Sequence, residues 1–121
     1  MSQARPRVFV TQENTQLNYS HAEEYGEVVF LTAREVSPIP GSLANAFIMD
    51  ELRTKLADFD FDNDFLAPSG SPVVCGMAFL TLGMRLGEPG SRAGSMARPK
   101  QLRVLRWSNR DRLYQPITIQ L

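Results

Sequence analysis

One cysteine and one histidine stand among 121 residues. A single thiol excludes a disulfide framework and any multi-cysteine zinc site, and a single imidazole excludes most histidine-based metal centres. Net charge is also lacking. Thirteen basic and thirteen acidic residues cancel, so no bulk field favours nucleic acid or a membrane. The longest apolar stretch, Val73 to Leu86, falls short of the roughly 20 residues that a membrane span needs, and Gly76, Thr81, Gly83 and Arg85 interrupt it. The opening residues Met1 to Arg7 run straight into Val8-Phe9-Val10 without the apolar core of a secretory leader. With a lone thiol, the expected compartment is a reducing cytoplasm.

What is present is ordinary for a globular protein: 43% hydrophobic and 21% charged residues. The length suits one domain over residues 1–121. Charge is distributed unevenly along it. Residues 1–84 carry five basic groups against eleven acidic ones, and residues 85–121 carry eight against two, so the two parts stand at −6 and +6. Such asymmetry marks an anion-binding face, or surfaces that attract each other within or between chains.

Periodicity gives the order of elements. Arg7 to Thr11 reads as a strand. Ser20-His21-Ala22-Glu23 has the form of a capping box on one helical turn. Glu27 to Thr32 is a continuous apolar run, as in a central strand buried on both faces. Ser37-Pro38-Ile39-Pro40-Gly41 is a turn, after which Ser42 caps a helix carrying Leu43, Phe47, Ile48, Met49, Leu52 and Leu56 at helical spacing. Glu51 and Lys55 form an i,i+4 pair on it. Phe65-Leu66-Ala67 is a short strand. Ser71 and Pro72 then open a helix to Leu86 that is apolar nearly all round and is expected to be buried, with Gly76 and Gly83 at close backbone contacts. Residues 87–99 read as a flexible loop. Leu102 to Trp107 and Leu113 to Leu121 form a hairpin in which Pro116 must sit at an edge or a bulge. The expected fold is a single small α/β domain, β-β-α-β-α-β-β: a mixed five-stranded sheet, two helices on one face, and a C-terminal β-hairpin. Phe9, Trp107 and Tyr114 are candidates for the other face.

Several pieces resemble short, uncharacterised proteins encoded by tailed bacteriophages. Arg7-Val8-Phe9-Val10-Thr11-Gln12 is similar to their R-I-F-V-P-Q start, and Tyr25-Gly26-Glu27-Val28-Val29 to F-G-E-V-V. Asp64 to Val73 is similar to a D-Y-L-L-x-x-G-D-P-V segment. Val104 to Arg110 with Arg112 to Ile117 is similar to a V-L-K-W-D-R…R-Y-x-P-V ending. Ser71 and Ser108 stand where that pattern has aspartate, so no role needing those carboxylates carries over. The resemblance implies a phage origin and action in the host cytoplasm, and it brings no catalytic residues.

Chemistry-bearing groups are sparse. Ser69, Gly70, Ser71 and Val73 join a strand to a helix N-terminus, where free N–H groups favour a phosphate or carboxylate; the turn lacks the Gly-Lys-Ser/Thr ending of a Walker loop. Asp58, Asp60, Asp62 and Asp64 alternate as in a calcium loop, yet Asn63 occupies the glycine position and Ser69 the glutamate position, so a solvated acidic turn is expected and no metal. Cys75 reads as an inert core thiol, and His21 as a surface group with no nucleophile beside it. Arg98, Lys100, Arg103, Arg106, Arg110 and Arg112 with Trp107 and Tyr114 could form a basic, aromatic surface for single-stranded nucleic acid. No catalytic set emerges and no cofactor is implied. The expected function is a non-enzymatic phage accessory protein, a module that binds a protein partner or itself as a homo-oligomer, with no membrane. The alternative is a nucleic-acid or nucleotide-phosphate binder using the hairpin and the Ser69–Val73 turn.

Overall fold

Short apolar segments form the sheet: β1 (Arg7–Val10), β2 (Glu27–Phe30), β3 (Phe65–Ala67), β4 (Gln101–Ser108) and β5 (Leu113–Gln120). A computed structural model describes residues 5–87 and 99–121; the loop expected at 87–99 lies almost wholly outside the described residues. Strand order is β2-β1-β3-β4-β5, with the first four strands parallel and β5 antiparallel to β4. Two helices, α1 (Leu43–Leu56) and α2 (Pro72–Leu86), and a 3-10 turn (Ser20–Glu24) complete the fold. The mixed sheet, the two helices and the terminal hairpin match the order read from periodicity.

Capping explains where both helices start. Ser42 Oγ accepts from the Ala44 N–H and Ser71 Oγ from the Val73 N–H, each at 3.1 Å, and Pro72 occupies the first turn, where its missing N–H costs nothing. The 3-10 turn differs from expectation. Its cap position is Tyr19 with no side-chain bond, so the Ser20/Glu23 capping box does not form.

Ile48, Leu52 and Leu56 of α1 and Ala78 and Leu82 of α2 pack on Phe9, Leu66, Leu102 and Val104. The opposite face of the sheet, Val8, Val10, Phe65, Ala67 and Leu105, packs on Ala22 of the 3-10 turn and on Tyr19, Tyr25 and Tyr114. Phe9 therefore belongs to the helix side, tilted against Phe59 at 5.4 Å, and not to the second face. Right-handed crossovers account for the layering. The connections β2-α1-β3 and β3-α2-β4 advance one way along the sheet and share a face; β1 to β2 runs the other way and puts its 3-10 turn on the opposite face.

Three expectations are overturned. β2 is an edge strand with no fully buried residue, because burial of its side chains comes mainly from one neighbour, β1. Glu51 and Lys55 do not pair with each other. Thr32 Oγ1 donates to Glu51 at 2.7 Å, Arg34 Nε lies 3.3 Å from the same carboxylate, and Lys55 Nζ donates to the Phe30 carbonyl at 2.9 Å. Long-range partners at the end of β2 win over the local pair. Most consequentially, α2 buries only Val74, Ala78, Thr81 and Leu82. Val73, Leu80 and Met84 stay exposed, and a Cβ added at Gly76 or Gly83 would meet nothing within 4 Å. Neither glycine sits at a close backbone contact among the described residues.

Pro116 lies at the open edge. The Leu121 N–H donates to the Lys100 carbonyl at 2.9 Å, and alternation along the ladder then turns position 116 away from β4. The proline leaves no ladder donor unmatched.

Candidate functional site

The strand order reverses between β1 and β3, so the loops leaving their carboxyl ends diverge and open a crevice. Thr11 and Gln12, directly after β1, tie that end together. Thr11 Oγ1 donates to the Ser69 carbonyl at 2.7 Å and accepts from the Ser69 N–H at 2.8 Å. Gln12 is buried; its Oε1 accepts from the Ser71 N–H at 2.5 Å and its Nε2 donates to the Arg34 carbonyl at 2.7 Å. Gly70 has φ +83°, and a Cβ there would sit 2.2 Å from Gln12 Oε1. The glycine is required by the fold.

These bonds use up the N–H groups of Ser69, Ser71 and Val73 internally. Of the expected anion-binding turn, Ser71 and Val73 form the helix cap, while Ser69 and Gly70 reach the cavity beside it. That cavity has a volume of about 610 Å³, within the usual range for a small-molecule site. Its floor is the end of β1 and β3, at Val10 and Ala67. One wall is the segment from Gln16 to His21, and the other is the hairpin at Trp107, Asn109, Arg112 and Tyr114.

Aromatic rings shape the hairpin wall. Trp107 and Tyr114 are cross-strand partners and meet edge to face at 5.0 Å and 66°. His21 stacks near Trp107 at 6.2 Å and 24°. Tyr19 Oη lies 2.9 Å from Ser69 Oγ and accepts from the Asn14 N–H at 2.9 Å. Burial pushes the Tyr114 hydroxyl above its ordinary pKa, and Tyr19 adds to the shift, so the phenol is neutral at physiological pH. Arg112 holds φ +58° in the hairpin turn, a left-handed conformation that costs a non-glycine residue about 1 kcal/mol. Its guanidinium has no partner among the described residues.

The structure brings together Ser69, Gly70, Trp107, Arg112 and Tyr114. It does not assemble the rest of the expected basic surface. Arg103 stacks over Phe65 at 4.0 Å and donates to the Asp62 and Asn63 carbonyls at 2.9 and 3.2 Å. Arg106 projects to the other face and donates to Gln115. Arg110 and Lys100 are exposed, and Arg98 lies outside the described residues. Thr11 and Gln12 fall in the phage-like opening segment and His21 in the capping-box pattern, but neither marks a site; for these and for Tyr19 the signal is position, after the first strand of a sheet whose order reverses there.

Two other expectations change. Asp64 is not solvated. At 2% exposure it accepts from the Arg7 and Asp60 N–H groups at 2.9 and 2.8 Å and from Arg7 Nη2 at 2.9 Å. Burial lowers the Arg7 pKa, but the Asp64 and Asp58 carboxylates more than offset this and the net shift is upward. Cys75 is half-buried, not a core residue; its sulfur lies 3.4 Å from Thr11 Oγ1. A second hollow of about 520 Å³ beside β2 is rimmed by Arg5 against Glu23 and Glu27, whose charges compete. Among the described residues no helix is long and apolar enough to cross a membrane.

Residues 6–89 match the model of one family, described as Phage Pam3 gp32-like protein. No curated protein and no solved structure matches the chain.

Proposed function

The chain belongs to the Phage Pam3 gp32-like protein family, and from that premise we propose that it is a non-enzymatic phage accessory protein of the host cytoplasm, a small module that associates with a second copy of itself. The outer face of α2 carries the proposal. Val73, Gly76, Leu80 and Gly83 follow one another at helical spacing along that face. Val73 and Leu80 are each 58% exposed. Glycine inside a helix costs about 1 kcal/mol against alanine, and neither Gly76 nor Gly83 repays that cost through packing against the described residues.

The stripe is complementary to its own reverse. In an antiparallel pair of α2 helices related by a two-fold axis at the level of Ala78, Leu80 lies opposite Gly76 of the second copy and Val73 opposite Gly83. Val73 and Leu80 each meet a glycine, Met84 lies opposite Pro72, and each contact occurs twice, as an isologous interface requires. The alternative, a nucleic-acid binder working through one continuous arginine patch, has less support, since Arg103 and Arg106 project from opposite faces.

Sedimentation velocity tests the proposal. The wild-type chain should be a concentration-dependent dimer. Replacing Gly76 and Gly83 together by alanine should give a monomer. Compared where both proteins are monomeric, the double variant should be more stable by about 2 kcal/mol, because two helix glycines are removed into open space. A wild-type chain that stays monomeric into the millimolar range, or a double variant that dimerises equally well, would overturn it.

A further inference from the structure

We propose that the cavity at the ends of β1 and β3 binds one nucleotide unit, a planar base with its phosphate. This is independent of self-association through α2, and it narrows the nucleotide-phosphate alternative to a single cavity. Charge is the first argument. The chain has thirteen acidic residues, yet none of the described residues lining this cavity is acidic, while Arg112 and His21 both line it. His21 Nδ1 lies 3.7 Å from the Glu24 carboxylate just outside the lining, so the charge that favours an anion here is that of Arg112.

Shape is the second. Trp107 and Tyr114 meet at 5.0 Å and 66°, a corner in which a flat ring can lie on one face and meet the other edge-on. Gln16, Asn18 and Asn109 line the same space; Asn18 Oδ1 accepts from the Ser20 N–H and Asn109 Oδ1 from Trp107 Nε1, which leaves their Nδ2 groups as donors for the acceptor edge of a base. Arg112, unpartnered among the described residues and held in the left-handed region, supplies a guanidinium for the phosphate. Strained residues of this kind cluster at functional sites. The crevice is also where sheets of reversing strand order hold their ligands.

Trp107 is the only tryptophan, so its fluorescence reports on the cavity directly. The full chain is titrated with the four deoxynucleoside monophosphates, the corresponding nucleosides, inorganic phosphate and a twelve-residue thymidine oligonucleotide. Saturable quenching by a monophosphate, at least about ten-fold tighter than by its nucleoside, supports the proposal. A monophosphate as tight as the oligonucleotide identifies a free nucleotide as the ligand; an oligonucleotide far tighter identifies a single strand. Arg112→Gly fits the left-handed backbone without strain, so the fold persists. It should weaken monophosphate binding about ten-fold and leave the nucleoside unchanged. No quenching by any nucleotide at millimolar concentration overturns the proposal, as does an Arg112→Gly variant that binds like the wild type.

Discussion

Gly26→Ala should lower the melting temperature by about 15 °C or prevent folding altogether. A Cβ on Gly26 would lie 2.3 Å from the Pro6 carbonyl oxygen and 2.7 Å from its carbon, and both are backbone atoms that no rotamer change can move. The same carbonyl accepts the Glu27 N–H at 3.0 Å, the bond that starts the pairing of β2 with β1. Room for the methyl group therefore requires β1 and β2 to separate where their parallel ladder begins, at Arg7 and Glu27. Overpacking of this kind costs about 3 kcal/mol, and the positive φ adds about 1 kcal/mol more. Against a typical domain stability of roughly 5–15 kcal/mol, that is a large fraction. Thermal unfolding followed by circular dichroism checks it; a variant melting within a few degrees of the wild type would contradict the close approach of the two strands.

Asp64→Ala is expected to cost about 3 kcal/mol, read from the shift in the urea midpoint. The carboxylate satisfies two backbone N–H groups and one guanidinium in a site closed to water. Its removal leaves all three donors without that acceptor, and an uncompensated group in a buried pair costs several kcal/mol. Arg7 retains Asp58 through a contact of 3.2 Å, but that partner is largely exposed, so it recovers little. Asp64→Asn, which keeps an acceptor oxygen, should recover part of the loss. If the alanine variant were as stable as the wild type, the fold would not depend on the Asp64 cluster.

Local chemistry made the element order legible. The Ser71-Pro72 start of α2, the Ser42 start of α1 and the alternation of the hairpin are decided within a few residues. Strand position is decided elsewhere. Val28-Val29-Phe30 reads alike in a central strand and in an edge strand, because one covered face and one half-covered face both demand apolar residues. An apolar helix likewise suggests burial, but the described residues provide no second wall for α2. The cavity was legible only in halves. Ser69 and Gly70 stood out as a turn and Trp107, Arg112 and Tyr114 as a hairpin, yet their meeting depends on the strand order β2-β1-β3-β4-β5. The wall from Gln16 to His21 carries only the start of the capping-box pattern, which speaks of a helical turn and not of a cavity; it is drawn in because the chain leaves β1 on the face opposite the helices.

Disulfide trapping tests the two-fold pairing of α2 most directly. Val73→Cys and Gly83→Cys are made separately, each with Cys75 replaced by serine, and are oxidised alone and as an equimolar mixture. In the proposed pair each position lies beside the other type, while identical positions are separated along the helix axis by about 15 Å, beyond the reach of a disulfide. The mixture should therefore yield a covalent dimer, and each variant alone should remain a monomer on a non-reducing gel. A mixture that cross-links no better than its components would contradict the pairing.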